Sequence, residues 1–89
     1  MVNKIWQDEA WEGYVCWQTQ DRKILKRVNQ LLDDIDRNGY KGIGKPEPLK
    51  GGLTGWWSRR VDVANRLIYR LNNEQIEIAQ CRSHYSFKK

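Results

Sequence analysis

The chain has 89 residues, which is room for one domain, residues 1–89, and no second. Its 16 Lys and Arg against 11 Asp and Glu give a net charge of +5, which favours a polyanionic partner. No apolar run approaches the roughly 18 residues of a membrane span and the first residues lack the apolar stretch of a secretory signal, so a cytoplasmic location away from membranes is expected.

Residues 2–6, from Val2 to Trp6, lean apolar and suit a short first strand. Residues 7–18 then read as a helix: Ala10, Tyr14 and Trp17 follow i, i+4, i+7, with Trp11 and Val15 beside them on one broad apolar face. Gly13 weakens it. The second helix is the clearest element. Asp21 is a good N-cap, and Ile24, Leu25, Val28, Leu31, Leu32 and Ile35 form an unbroken apolar stripe. Its outer side carries Lys23, Lys26, Arg27 and Gln30, and Asn38-Gly39 supplies the stop. With only Thr19-Gln20 between them, the two helices are expected to pack as an antiparallel hairpin.

Six of the seven glycines and both prolines fall between Gly39 and Gly55, which predicts an ordered loop. Three strand-like runs follow, over 56–63, 66–71 and 75–82, with Asn72-Asn73 as a hairpin turn between the last two. In the middle run Leu67, Tyr69 and Leu71 point one way and Arg66, Ile68 and Arg70 the other. In the last run Ala79 and Cys81 alternate with Gln80, Arg82 and His84, but Ile76 and Ile78 break that phase; a bulge or a strand buried on both faces would account for it. The expected fold is α+β, in the order β-α-α-β-β-β: a mostly antiparallel sheet with an N-terminal helical hairpin on one face and Arg66, Arg70 and His84 on the other. The five tryptophans read mostly as core, with one of Trp56 and Trp57 exposed. Cys16 and Cys81 are isolated and read as reduced, largely buried thiols. With one histidine beside them they make no metal-ligand set, and no cofactor is expected.

RNA cleavage by the neighbouring 2′-hydroxyl needs a base, an acid and fixed positive charge for the pentacovalent phosphorus between them. Glu47 sits between Pro46 and Pro48, which stiffen its backbone, and between Lys45 and Lys50, which favour its ionised form. His84 titrates near neutrality and can supply the proton. Arg66 can hold two phosphate oxygens at once. Arg59 and Arg60 are adjacent and so point to opposite faces, leaving at most one, taken as Arg60, to share the Arg66 surface. Lys50 can contact substrate backbone, and Tyr85 can stack on a base. Each has a plainer reading: a solvated glutamate in a stiff loop, a histidine at a fraying end, an arginine paired with Asp62.

Taken in order, these residues resemble the YoeB toxins of the RelE/ParE superfamily, over about 4–85. The resemblance is carried by Ile5-Trp6, by Trp11 with Tyr14 and Trp17, and by Gly44-Lys45-Pro46-Glu47-Pro48-Leu49-Lys50. It continues in Leu53-Thr54-Gly55, Trp57-Ser58-Arg59-Arg60, Arg66-Leu67-Ile68-Tyr69 and Cys81-Arg82-Ser83-His84-Tyr85. It implies a ribosome-dependent endoribonuclease that cuts mRNA in the decoding site without a metal. Glu47 would be general base, His84 general acid and Arg66 the transition-state stabiliser, with Lys50 and Tyr85 as substrate contacts. It also implies a cognate antitoxin of the YefM kind, the bacterial ribosome and mRNA as partners, and a homodimer. The chain departs from the family at Ser83, where a larger residue is common, and in Ser86-Phe87-Lys88-Lys89 beyond the His-Tyr pair. A same-fold toxin that poisons a protein such as DNA gyrase, or a simple basic RNA-binding module, are the other readings; neither needs Glu47 together with His84.

Overall fold

Asp21 decides where the helical hairpin bends. Its carboxylate accepts from the backbone N–H groups of Lys23 (3.0 Å) and Ile24 (3.2 Å), satisfying donors that open helix α2, Arg22–Asn38. Its own N–H donates to the Trp17 carbonyl and closes helix α1, Asp8–Gln20. Thr19 and Gln20, expected as the link, are thus absorbed into α1. Gly39 ends α2 with a φ of 68°, a conformation that favours glycine.

The computed structural model describes residues 3–82; His84 and Tyr85 lie outside them. The strands are β1 (Asn3–Trp6), β2 (Glu47–Pro48), β3 (Trp57–Arg60), β4 (Arg66–Asn72) and β5 (Gln75–Gln80). They form one sheet in the order β1-β5-β4-β3-β2. The expected α+β class holds, with two refinements. β1 runs parallel to β5, because the helical hairpin and the rest of the sheet intervene between them and provide the long crossover that parallel pairing needs. β2, inside the segment read as loop, pairs antiparallel with β3 at the sheet edge, where Pro48 is tolerated without its N–H.

The core lies between hairpin and sheet. Ala10 and Trp17 of α1 and Val28, Leu31, Leu32 and Ile35 of α2 pack on Leu67, Tyr69, Ile76 and Ile78. The phase break in the last strand is a bulge. Ile68 pairs with Gln80 but Tyr69 with Ile78, so Ala79 is the extra residue, and it lets Ile76, Ile78 and Cys81 all join the core.

Two expectations are corrected. Trp11 and Val15 are exposed, at 49% and 42%, because α1 turns Ala10, Gly13 and Trp17 to the core instead. Gly13 is there for close approach: a Cβ would stand 3.1 Å from the Arg82 Cβ. Arg82 does not continue the alternation of β5. The strand ends at Gln80, the Cys81 carbonyl accepts from Trp17 Nε1 (3.1 Å), and the Arg82 guanidinium lies over the Trp17 ring, on the helical side. His84, which the same alternation placed on the other face, lies outside the described residues.

One side chain ties these layers together. Arg59 on β3 is fully buried and faces the helices, and it uses all its donors. Nη1 donates to Asp34 Oδ2 (2.6 Å) and the Ile43 carbonyl (3.1 Å), Nη2 to the carbonyls of Gly39 and Lys41 (both 2.8 Å), and Nε to the Tyr69 hydroxyl (3.1 Å). Asp34, on α2, also accepts from the N–H of Ile43 and the amide of Asn38. The Arg59 guanidinium holds its carboxyl below the usual range. A carboxyl depressed by folding stabilises the native state above its unfolded pKa of about 3.9 and loses that contribution as pH falls through the lower folded value. Removing Arg59 would take from Asp34 its cationic partner and from three carbonyls a donor. Arg59→Ala is therefore expected to lower stability by about 3–5 kcal/mol in urea unfolding at neutral pH. Asp34→Asn should lower stability at pH 7 and flatten the loss that the wild type shows below about pH 4.

Candidate active site

The turn that carries Glu47 is fixed from behind by Arg59 and from the side by Gly44. The Gly44 carbonyl accepts from the Arg60 N–H (2.7 Å), which docks the loop on β3. Only glycine fits there. Its φ is 82°, and a Cβ would lie 2.9 Å from Leu31 Cδ2. Lys45 follows with a positive φ of 52°, and the chain then straightens through Pro46 into β2. The stiff, extended backbone expected at Glu47 is thus an edge strand.

Register places the candidate residues. On the sheet face away from the helices, Glu47 lies opposite Ser58, Ser58 opposite Ile68, and Ile68 opposite Gln80. The next row holds Arg60 opposite Arg66. Rows two residues apart along a strand are about 7 Å apart. A third row, on the other side of the Glu47 row, carries the Arg70 guanidinium over the Trp56 ring at 4.4 Å and paired with Glu77 at 2.8 Å. Arg70, with a hydrogen bond from Gln7, holds the Glu77 carboxyl below its ordinary value. Ser58, Ile68 and Gln80 are inaccessible to solvent, while Glu47 and Arg60 are exposed and Arg66 half-buried. Alternation along β4 predicted the side of each residue correctly, but side and accessibility are different properties.

Arg60 and Arg66 also share a cleft of about 370 Å³ at the β3–β4 turn, lined by Arg27, Arg60, Val61, Asp62, Val63 and Arg66. The turn is held by Asp62, whose Oδ1 accepts from the N–H groups of Ala64 and Asn65 and from the Asn65 amide. Lys50 is exposed and caps the short 3₁₀ turn Gly51–Leu53 just beyond β2. The structure thus brings Glu47, Arg60 and Arg66 onto one face with Lys50 at its margin. His84 and Tyr85 are outside the described residues. Sequence reasoning missed Arg27, because its place on the polar side of α2 says nothing of which strand end lies beside it. Burial pushes the Cys81 thiol up to about 12, which keeps it neutral near pH 7.

This arrangement is a small α+β fold, a helical hairpin on a five-stranded sheet whose outer face carries arginines. A family model described as the YoeB-like toxin of bacterial type II toxin–antitoxin systems matches residues 6–85. The toxin YoeB of Streptomyces coelicolor is 55% identical over 76 residues, covering 85% of this chain and 90% of that one. A solved YoeB–YefM complex from Staphylococcus aureus contains a chain 44% identical, with a TM-score of 0.89 over 96% of this chain and 99% of that one. A YoeB dimer from the same organism is 46% identical, with a TM-score of 0.89 over 94% and 98%. The chain belongs to the YoeB family of toxins.

Ser58 is buried between Glu47 and Ile68, yet its Oγ has no hydrogen-bond partner among the described residues. A buried hydroxyl left unpaired is a liability, so Ser58→Ala is expected to leave stability unchanged or raise it by up to about 1 kcal/mol, measured by urea unfolding.

Proposed function

We propose that this toxin is a ribosome-dependent endoribonuclease that cleaves mRNA in the decoding site. The observation that carries the reading is the pairing of two rows on one sheet face: the Glu47 carboxylate, and one row away the facing guanidinium groups of Arg60 and Arg66. Glu47 takes the proton of the 2′-hydroxyl, whose oxygen attacks the adjacent phosphorus. The P–O5′ bond breaks, leaving a 2′,3′-cyclic phosphate and a 5′ oxygen that takes its proton from His84. Arg66 offsets the charge that builds on the phosphorane, and Arg60, Lys50 and Tyr85 hold the strand. The roles of His84 and Tyr85 rest on the family resemblance. The reaction needs no metal or cofactor. A single histidine is a modest acid–base supply, so the ribosome's grip on the mRNA is expected to orient the 2′-hydroxyl, and free RNA to be cut slowly.

The same reading supplies partners. The S. aureus relative is solved with YefM and as a dimer. This chain would likewise be held by a cognate antitoxin and pair with a second copy, in the cytoplasm where ribosomes are. Trp11 and Val15 offer an apolar surface on α1 for that copy. The first turns of α1 carry Asp8, Glu9 and Glu12 and the start of α2 carries Arg22, Lys23 and Lys26, so two copies docked antiparallel set unlike charges against each other. A same-fold poison of DNA gyrase would have no use for Glu47.

Primer extension on mRNA in a purified translation system tests the chemistry. Cuts inside codons are expected only with ribosomes, and Glu47→Gln, His84→Gln and Arg66→Ala should each slow them by about 10²–10⁴-fold. Wild-type protein that cuts nothing, or cuts naked RNA equally fast, would sink the proposal. Sedimentation tests the pairing: Trp11→Glu should convert the dimer to a folded monomer, and an unchanged dimer would place the contact elsewhere.

A further inference from the structure

The cleft at the β3–β4 turn has a third arginine that the family resemblance did not bring forward. We infer that Arg27 of α2 is an additional RNA-backbone contact, holding the phosphodiester adjacent to the one that is cut. The inference rests on the nuclease reading and extends it.

Arg27, Arg60 and Arg66 line one concavity of about 370 Å³, drawn from α2, β3 and β4. A cavity of that size, with arginines entering from a helix on one side and a sheet on the other, suits an anion. The single carboxylate in its wall, Asp62, turns one oxygen to the backbone N–H groups of Ala64 and Asn65, so that oxygen is engaged inside the turn. Among the described residues no carboxylate pairs with Arg27. Its Nη1 donates to the neutral amide of Gln30 at 3.3 Å, which orients the guanidinium without cancelling its charge. Asp33 and Asp34 line a different cleft, with Gln30, Arg37 and Ile43.

Position gives the contact its role. Along the strands, the Glu47·Ser58 row is followed after about 7 Å by the Arg60·Arg66 row, and then by the turn with Arg27 beside it. A phosphate held at Arg66 for reaction therefore has its neighbour along an extended strand directed toward Arg27. A backbone contact of this kind adds affinity without reading sequence, since a phosphate carries no base identity. Arg27 is accordingly a binding residue and takes no part in proton transfer.

The test separates this inference from the nuclease proposal by measuring binding without cleavage. Glu47→Gln protein is titrated onto ribosomes programmed with a defined mRNA, with and without Arg27→Gln or Arg27→Lys, across a range of salt. Arg27→Gln is expected to weaken binding about ten-fold and to reduce the slope of log K against log salt by about 0.7, the value of one single-strand phosphate. Arg27→Lys should restore the slope. The mRNA is then made with one phosphate at a time replaced by a neutral methylphosphonate near the cut. At a single position, next to the scissile phosphate, neutralisation should weaken the Arg27-containing protein and leave the Arg27→Gln protein unaffected. If Arg27→Gln weakens binding equally with every modified mRNA, the arginine touches ribosomal RNA or nothing, and the inference is wrong. An unchanged salt slope overturns it as well. Cleavage by wild-type protein is scored separately, so loss of the nuclease reading leaves the binding result to stand or fall alone.

Discussion

The Arg59 guanidinium fixes more of this molecule than any other single group. It lies fully buried between sheet and helices, and its donors reach α2 through Asp34, the helix end through Gly39, the loop through Lys41 and Ile43, and β4 through Tyr69. Placing a cation there is costly unless every donor is met, and here each one is. The consequence is a loop that leaves α2 along one path. Gly44 then docks on Arg60, and the chain emerges as β2 with Glu47 beside Ser58. A residue with no direct chemical role thus sets the position of the proposed base.

The sheet divides the work of the chain between its faces. Leu67, Tyr69, Ile76 and Ile78 turn toward the helices and make the core, while Arg60, Arg66 and Arg70 turn away. The bulge at Ala79 is what allows β5 to serve both purposes: Ile78 and Cys81 both reach the core although an even alternation would separate them. Charge is graded across the outer face in the same way. Arg70 is neutralised by Glu77 and stacked on Trp56, whereas the cleft at the opposite end gathers Arg27, Arg60 and Arg66.

A chain of this size has little apolar surface to spare, and it leaves a tryptophan half exposed on α1. That is economical only when a partner covers it, in keeping with a toxin family whose members are found with an antitoxin and as dimers.

The sequence by itself determined both helices and four of the five strands, in their order. Helix α2 was legible because six apolar residues at helical spacing, an Asp cap and a Gly stop all agree. The face of each residue in β4 was legible from alternation alone, and with it the side taken by Arg66. Only the tertiary structure decided the rest. Strand β2 is two residues long, too short for any periodicity to announce, and exists because β3 offers it an edge. Trp11 and Trp17 look alike in sequence; which one is buried depends on where Gly13 lets the Cys81–Arg82 segment pass. Arg59 and Arg60 are neighbours of one type, and parity could say only that they diverge. That one became the buried clamp and the other a surface cation required Asp34, Tyr69 and three loop carbonyls to meet at one point, and such a meeting is a property of the packed chain.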